Sequence, residues 1–161
     1  MFSGQNILVI GALSILTLLI ISFYNSEGNK VSMTLDNEAV IAATGLGQTI
    51  IEKMTSRSFD EKAIGKYFEL PDSMTNVNDL GPEDDETNIS MFDDFDDFNN
   101  YSQTDTLMRL GEFDVSVVVN YVTKEKPDSA VNVKTFYKLA TISVSNPFLY
   151  DKLKLHYLAS Y

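Results

Sequence analysis

The chain has 161 residues, 44% of them hydrophobic, enough for one core and an appendage. It contains no cysteine, which excludes disulfides, thiolate metal sites, cysteine nucleophiles and a cysteine-linked lipid anchor together. The net charge of −11, with no basic stripe, argues against nucleic acid as a partner, because phosphate binding needs lysine and arginine to release counterions.

The chain begins with an apolar helix. No charged side chain appears before Glu27, and residues 7 to 23, ILVIGALSILTLLIISF, are interrupted only by Gly11, Ser14, Thr17 and Ser22. At about 1.5 Å per helical residue this run is near the short limit for crossing a ~30 Å hydrocarbon core. No lysine or arginine precedes it, and Ser22, Phe23, Tyr24 and Asn25 form no small-x-small cleavage pattern after it. It therefore reads as a retained helix and not as a secretory signal peptide. YNSEGNK, residues 24 to 30, predicts an interruption, since Asn, Ser and Gly favour non-helical backbone. The pattern then resumes: Leu35, Ala39, Ala42, Leu46, Ile50 and Met54 recur at the spacing of one helical face, predicting an amphipathic helix over 30–57. Gly45 and Gly47 each weaken that helix by about 1 kcal/mol against alanine, which points to close packing. The expected division is an apolar segment, 1–28, followed by a globular domain, 29–161.

From Gly65 to Thr106 no periodicity holds. Pro71, Gly81, Pro82 and several Asn and Asp residues predict a long irregular connection, 65–106, and nine acidic residues fall between Asp79 and Asp97 without one lysine or arginine. Inside it lies FDDFDDFNNY, residues 92 to 101, where Phe92, Phe95 and Phe98 alternate with paired aspartates. Spacing by three places the rings near one side of a helical or 3-10 turn, so the phenylalanines are expected to point inward and the acids outward. Three readings of the acids stay open. They form a solvated acidic loop, or a hard-cation site of the Ca²⁺ type, for which Asp93, Asp94, Asp96, Asp97 and Asn99 offer only oxygen ligands though not in EF-hand order, or a contact with Lys124, Lys126 or Lys134 of a neighbouring copy.

Strands dominate the remainder. Phe113, Val115, Val117, Val119 and Tyr121 alternate with Asp114, Ser116, Val118 and Asn120. Residues 131 to 146 form another β-rich run, and Leu153, Leu155, Tyr157, Ala159 and Tyr161 alternate with polar residues. KEKPDSA, residues 124 to 130, and SNPFLYD, residues 145 to 151, predict turns. Three or four antiparallel strands over 110–161, with one face covered by the amphipathic helix, define an α+β fold. His156, the only histidine, alternates with Lys152 and Lys154 and reads as an exposed strand residue. No G-x-S-x-G, H-E-x-x-H, Walker or Rossmann pattern is present, so no enzymatic activity is expected. Ser73, Thr106 and Ser129 each follow an aspartate and precede an apolar residue, a pattern glycosylated in one bacterial O-linked system. Asn88 and Asn100 begin N-x-S sequons, and all five are expected in loops.

Three stretches carry a family resemblance. GLGQTIIEKMTSRSFDE, residues 45 to 61, is similar to the helix end and following loop of pilin-like proteins. FDDFDDFNNYS, residues 92 to 102, and FYKLATISVSNPFLYDKLKLHYLASY, residues 136 to 161, resemble segments of minor pilins related to the mannose-sensitive haemagglutinin pilus. The order of elements resembles that of a type IV pilin or pseudopilin. The resemblance implies a structural subunit of an adhesive filament on the bacterial cell surface, anchored in the inner membrane before assembly and then polymerised with copies of itself, with no required cofactor. It places Gln5, Ile7, Ile10, Leu13, Ile15, Leu18 and Ile21 in the filament core. The alternative it leaves is a membrane-anchored pseudopilin or minor pilin that forms no long filament. Such subunits usually carry a basic leader ending in glycine and an early glutamate that pairs with the next subunit's amine. Here Gln5 stands in the glutamate's place if Met1 is the mature terminus, or becomes the terminus itself if Gly4, which lacks basic neighbours, ends a leader. Either way the acidic docking residue is missing, and a neutral amide can hydrogen-bond without burying a charge.

Overall fold

The computed structural model describes residues 4–161. One long helix, α1 (Gly4–Thr55), leads into short 3-10 turns at Glu61–Ala63, Pro71–Ser73, Val77–Asp79 and Asp96–Phe98, and then into four strands. These are β1 (Ser102–Leu107), β2 (Gly111–Tyr121), β3 (Tyr137–Ser145) and β4 (Leu153–Ser160), an antiparallel meander in the order β1-β2-β3-β4. The architecture is α+β, the arrangement that the resemblance to type IV pilins implies. The chain divides after Glu38 into two units.

In the first unit α1 is unbroken through residues 24 to 30, so the expected interruption is not there. Local links hold the helix across it: Lys30 Nζ reaches Glu27 Oε1 at 2.8 Å, and Thr34 Oγ1 donates to Lys30 O at 2.9 Å. Single Asn, Ser or Gly residues inside a long helix cost up to about 1 kcal/mol each, which bounds a weak point without ending the helix. Every large apolar side chain from Ile7 to Phe23 is exposed. The hydroxyls of Ser14 and Thr17 donate back to Ile10 O and Leu13 O, each at 2.8 Å, and so add little polarity to that surface. By length and composition α1 is able to cross a membrane, with a mean hydropathy of 2.6 in its most apolar window.

In the second unit Ala39, Ala43, Gly47, Ile50 and Met54 form the buried stripe of α1, with Ala42 and Leu46 half-buried beside it. Gly47 is where the helix comes closest to the sheet. A Cβ there would run into the Leu155 side chain and stand 3.7 Å from Val144, whereas a Cβ on Gly45 would meet open space. Packing therefore explains one of the two glycines.

The sheet's inner face follows from the register. Val115 lies opposite Val144, Val117 opposite Ile142, Val119 opposite Ala140 and Tyr121 opposite Lys138. Ile142 and Ala140 in turn face Leu155 and Tyr157. Phe113, Val115, Val117, Val119 and Tyr121 are all fully buried, as their alternation predicts. Two boundaries differ from expectation. The connection ends earlier, because SQTDTL pairs with β2 as an edge strand whose polar residues carry no apolar alternation. The β-rich run starts later, at Tyr137, since residues 131 to 136 bend and Val131 N–H donates to Tyr121 O at 2.9 Å. A second apolar cluster, Met74, Leu80 and Tyr121 with Phe59, Phe68 and Phe136 around it, seals the 3-10 turns onto the sheet. Tyr161 stacks on Phe136 at 5.6 Å and donates its hydroxyl to Lys66 O at 2.6 Å, closing the end of that cluster.

Candidate functional site

FDDFDDFNNY sits against the sheet with its rings inward. Phe92, Phe95 and Phe98 are buried; Phe92 meets Phe98 edge-on at 5.1 Å, and Phe95 meets Tyr157 at 6.1 Å. The expectation that the aspartates face outward fails for three of the four. Asp93 is exposed, but Asp94, Asp96 and Asp97 are buried. The reason is that a tight turn supplies backbone donors on its inner side. Asp94 accepts from the N–H groups of Glu61 (2.7 Å), Asp96 (2.7 Å) and Asp97 (3.3 Å).

Asp96 finds a cation instead. Lys138, fully buried on β3, is in contact with Asp96 Oδ1, with Asp60 Oδ2 at 3.0 Å and with Phe59 O at 2.8 Å, and it lies over the rings of Phe59 (4.6 Å) and Tyr121 (5.5 Å). Asp60 also accepts the N–H groups of Lys62 at 3.2 Å and Thr75 at 2.9 Å, and Tyr121 donates to Thr75 O at 2.8 Å. One ammonium thus faces two carboxylates in a dry space, with Asp94 close behind them. Burial pushes Asp96 up to about 8 against the pull of Lys138, and it raises Asp94 as well. The cluster ties the segment after α1 and the acidic turn to the same point of β3. Its ionic groups are spent on one another, which suits fixing a register.

Sequence reasoning missed Lys138 and Asp60. Lys138 was open to detection, because it shares the inner phase of β3 with Ala140, Ile142 and Val144, a lysine where the alternation demands an apolar side chain. Asp60 carries no such signal. Within the chain the lysine that meets the acids is Lys138, whereas Lys134 Nζ donates to Asp72 O at 2.8 Å.

Asp97 belongs to a different group. Its Oδ2 accepts the N–H groups of Asp93 and Asp94 at 2.8 Å each, and its Oδ1 is buried with no hydrogen-bond partner. The carboxylate faces Glu83 and Glu86, and one oxygen from each of the three lies within 4.8 Å of the others. Glu83 and Glu86 stand on one turn, where Glu86 N–H donates to Glu83 O at 3.0 Å. Burial, then the Asp97 carboxylate, push Glu86 up to about 8. Of the five oxygen donors expected to hold a cation, the structure brings only Asp97 to this group. Asp94 and Asp96 are committed as described, Asp93 lies at the rim, and Asn99 donates to Leu80 O and accepts from Val119 N–H, each at 2.9 Å.

Gln5, Ile7, Ile10, Leu13, Ile15, Leu18 and Ile21 all lie on α1 in the first unit, and all are exposed. Ser73 and Ser129 are exposed on turns. Thr106 is exposed too, but on β1 and not in a loop. His156 is exposed on β4 with Nδ1 3.2 Å from Thr141 Oγ1. No protein-family model, no curated protein and no solved structure matches the chain.

Proposed function

We propose that the chain is a structural subunit of an extracellular filament of the type IV pilus kind, held in the inner membrane by the apolar part of α1 before assembly and joined afterwards to copies of itself through the same surface. The observation that carries this reading is a 52-residue helix, unbroken, on which every large apolar side chain from Ile7 to Phe23 is exposed. A contiguous apolar surface of that kind is unstable in water; it needs a bilayer or equivalent helices around it. A bundle of copies is how such a helix leaves the membrane and stays covered. Gln5, near the start of the helix, offers a polar contact to a neighbour without bringing in a charge. The reading assigns no catalytic role and no required cofactor.

The test is filament formation in cells producing either the native chain or Ile15→Asp. Material sheared from the surface should contain the native subunit by mass spectrometry and show filaments by negative-stain microscopy, while Ile15→Asp should accumulate folded in cells and be missing from sheared material. Filaments formed normally by Ile15→Asp would contradict assembly through this surface. A native chain that stays wholly in the membrane fraction would favour an anchored subunit that builds no long filament.

A further inference from the structure

We propose that Glu83, Glu86 and Asp97 form a binding site for one divalent cation of the calcium class. Three carboxylates with mutually close oxygens are by themselves common on protein surfaces, and two further observations set this group apart. The first is that Asp97 is 1% exposed and leaves Oδ1 without a partner. A buried acceptor of this kind is rare in a native fold, because leaving it unmatched forfeits its hydration for nothing. Its other oxygen is fixed by two backbone N–H groups, so the open oxygen is held towards Glu83 and Glu86 and cannot swing away to water. The second is the surrounding charge. Glu61, Glu83, Asp85, Glu86 and Asp93 line one open concavity, Glu86 and Asp97 share the adjoining one, and neither is lined by a lysine or an arginine. Lys138, the lysine paired with the neighbouring aspartates, is occupied with Asp60 and Asp96.

The ligand set selects the ion. Only carboxylate oxygens are offered, which suits a hard cation and not a soft one. All three oxygens lie within 4.8 Å of one another, close enough to share one ion. Calcium accepts protein carboxylates in flexible geometry, whereas magnesium demands near-ideal octahedral placement and usually keeps several waters, so a loose trio at an open mouth suits calcium. Asp97 supplies a rigid, buried ligand, Glu83 and Glu86 two mobile ones at the mouth, and water completes the shell from the open side. The site also has a structural consequence: it joins the turn at residues 83–86 to the turn at 96–98.

The experiment uses the full-length chain in detergent micelles, stripped with chelator, in calorimetric titration with calcium chloride and separately with magnesium chloride at constant ionic strength, since screening alone would imitate a weak effect. Calcium should bind once per chain and raise the melting temperature, because a ligand of the folded form stabilises it. Glu83→Gln/Glu86→Gln, which keeps the shape and the backbone hydrogen bond of the turn, should weaken calcium at least tenfold while leaving the circular dichroism spectrum unchanged. Asp97→Asn should do the same if it folds, and the glutamine variant carries the test if it does not. The proposal is overturned by absence of saturable calcium binding in the native chain, by calcium affinity unaltered in the double glutamine variant, or by magnesium binding more tightly than calcium.

Discussion

Residues 7 to 23 and residues 94 to 97 invert the usual rule in opposite directions. The first run is apolar and exposed; the second is rich in carboxylates and buried. An exposed apolar stripe lacks its partner within the chain, so its stability is settled by what surrounds it. A buried carboxylate persists only if its partner is already present, and here the partners are backbone N–H groups one turn away and a lysine 42 positions along the chain. Exposure of the wrong residues therefore points outward to what surrounds the chain, and burial of the wrong residues points inward to how the fold is held.

If that contrast is correct, the largest loss of stability comes from removing the buried cation. Lys138→Met should cost about 3–5 kcal/mol in urea unfolding, because the buried oxygens of Asp60 and Asp96 lose the one cationic partner they share. Lys138→Met/Asp96→Asn should recover part of it, by about 0.5–3 kcal/mol of coupling. An unaltered midpoint in Lys138→Met would break the comparison at its inward half.

The next effect lies where helix meets sheet. Gly47→Leu should cost about 1–3 kcal/mol by overpacking against Leu155 and Val144. Gly45→Ala, which meets nothing, should instead stabilise the helix by up to about 1 kcal/mol. The same sign at both positions would remove the argument from close approach.

A smaller effect concerns pH. Asp96 is raised from its ordinary 3.8 to about 8, chiefly by burial, so between those values the folded chain holds a proton that the unfolded chain has released. Stability from this group is therefore greatest at the acid end of that window and is lost as pH rises through it. Urea midpoints measured in chelator should increase on going from about pH 8 to about pH 5, and Asp96→Asn should flatten the slope. A native midpoint that falls over this range would reverse the assignment.

Smallest of all is the expected effect of Ile15→Asp on folding, within about 0.5 kcal/mol. Seven of the eight tyrosines lie beyond residue 38, so near-ultraviolet circular dichroism reports on the second unit. A large loss there would mean that the apolar stripe serves the fold itself, and it would blur the contrast between the two regions.

Much of the fold is legible in the sequence. The apolar helix follows from its continuous apolar run and the turns at Pro127 and Pro147 from their composition. The amphipathic continuation of the helix, β2, β4 and the inward Phe92, Phe95 and Phe98 follow from local periodicity, because each of these meets the core through one face. Where local preference and context disagree, context won. Residues 24 to 30 look like a break and are helical, since turns on both sides carry them; Ser102 to Leu107 looks like a loop and is a strand, since an edge borrows its order from the neighbour it pairs with.

What the sequence determined by itself is which faces are apolar, how the strands alternate, and that an acidic run of this density requires some compensation. What only the tertiary structure decided is which compensation each carboxylate receives. Asp94 is satisfied by N–H groups that point inward once the turn is wound, Asp96 by Lys138, and Asp97 is left with one bare oxygen beside Glu83 and Glu86. Four aspartates in a row of similar dipeptides are chemically identical along the chain. They differ only in what the fold sets within about 3 Å of their oxygens, the distance over which a hydrogen bond or an ion pair is made, and no local pattern in the sequence encodes that distance.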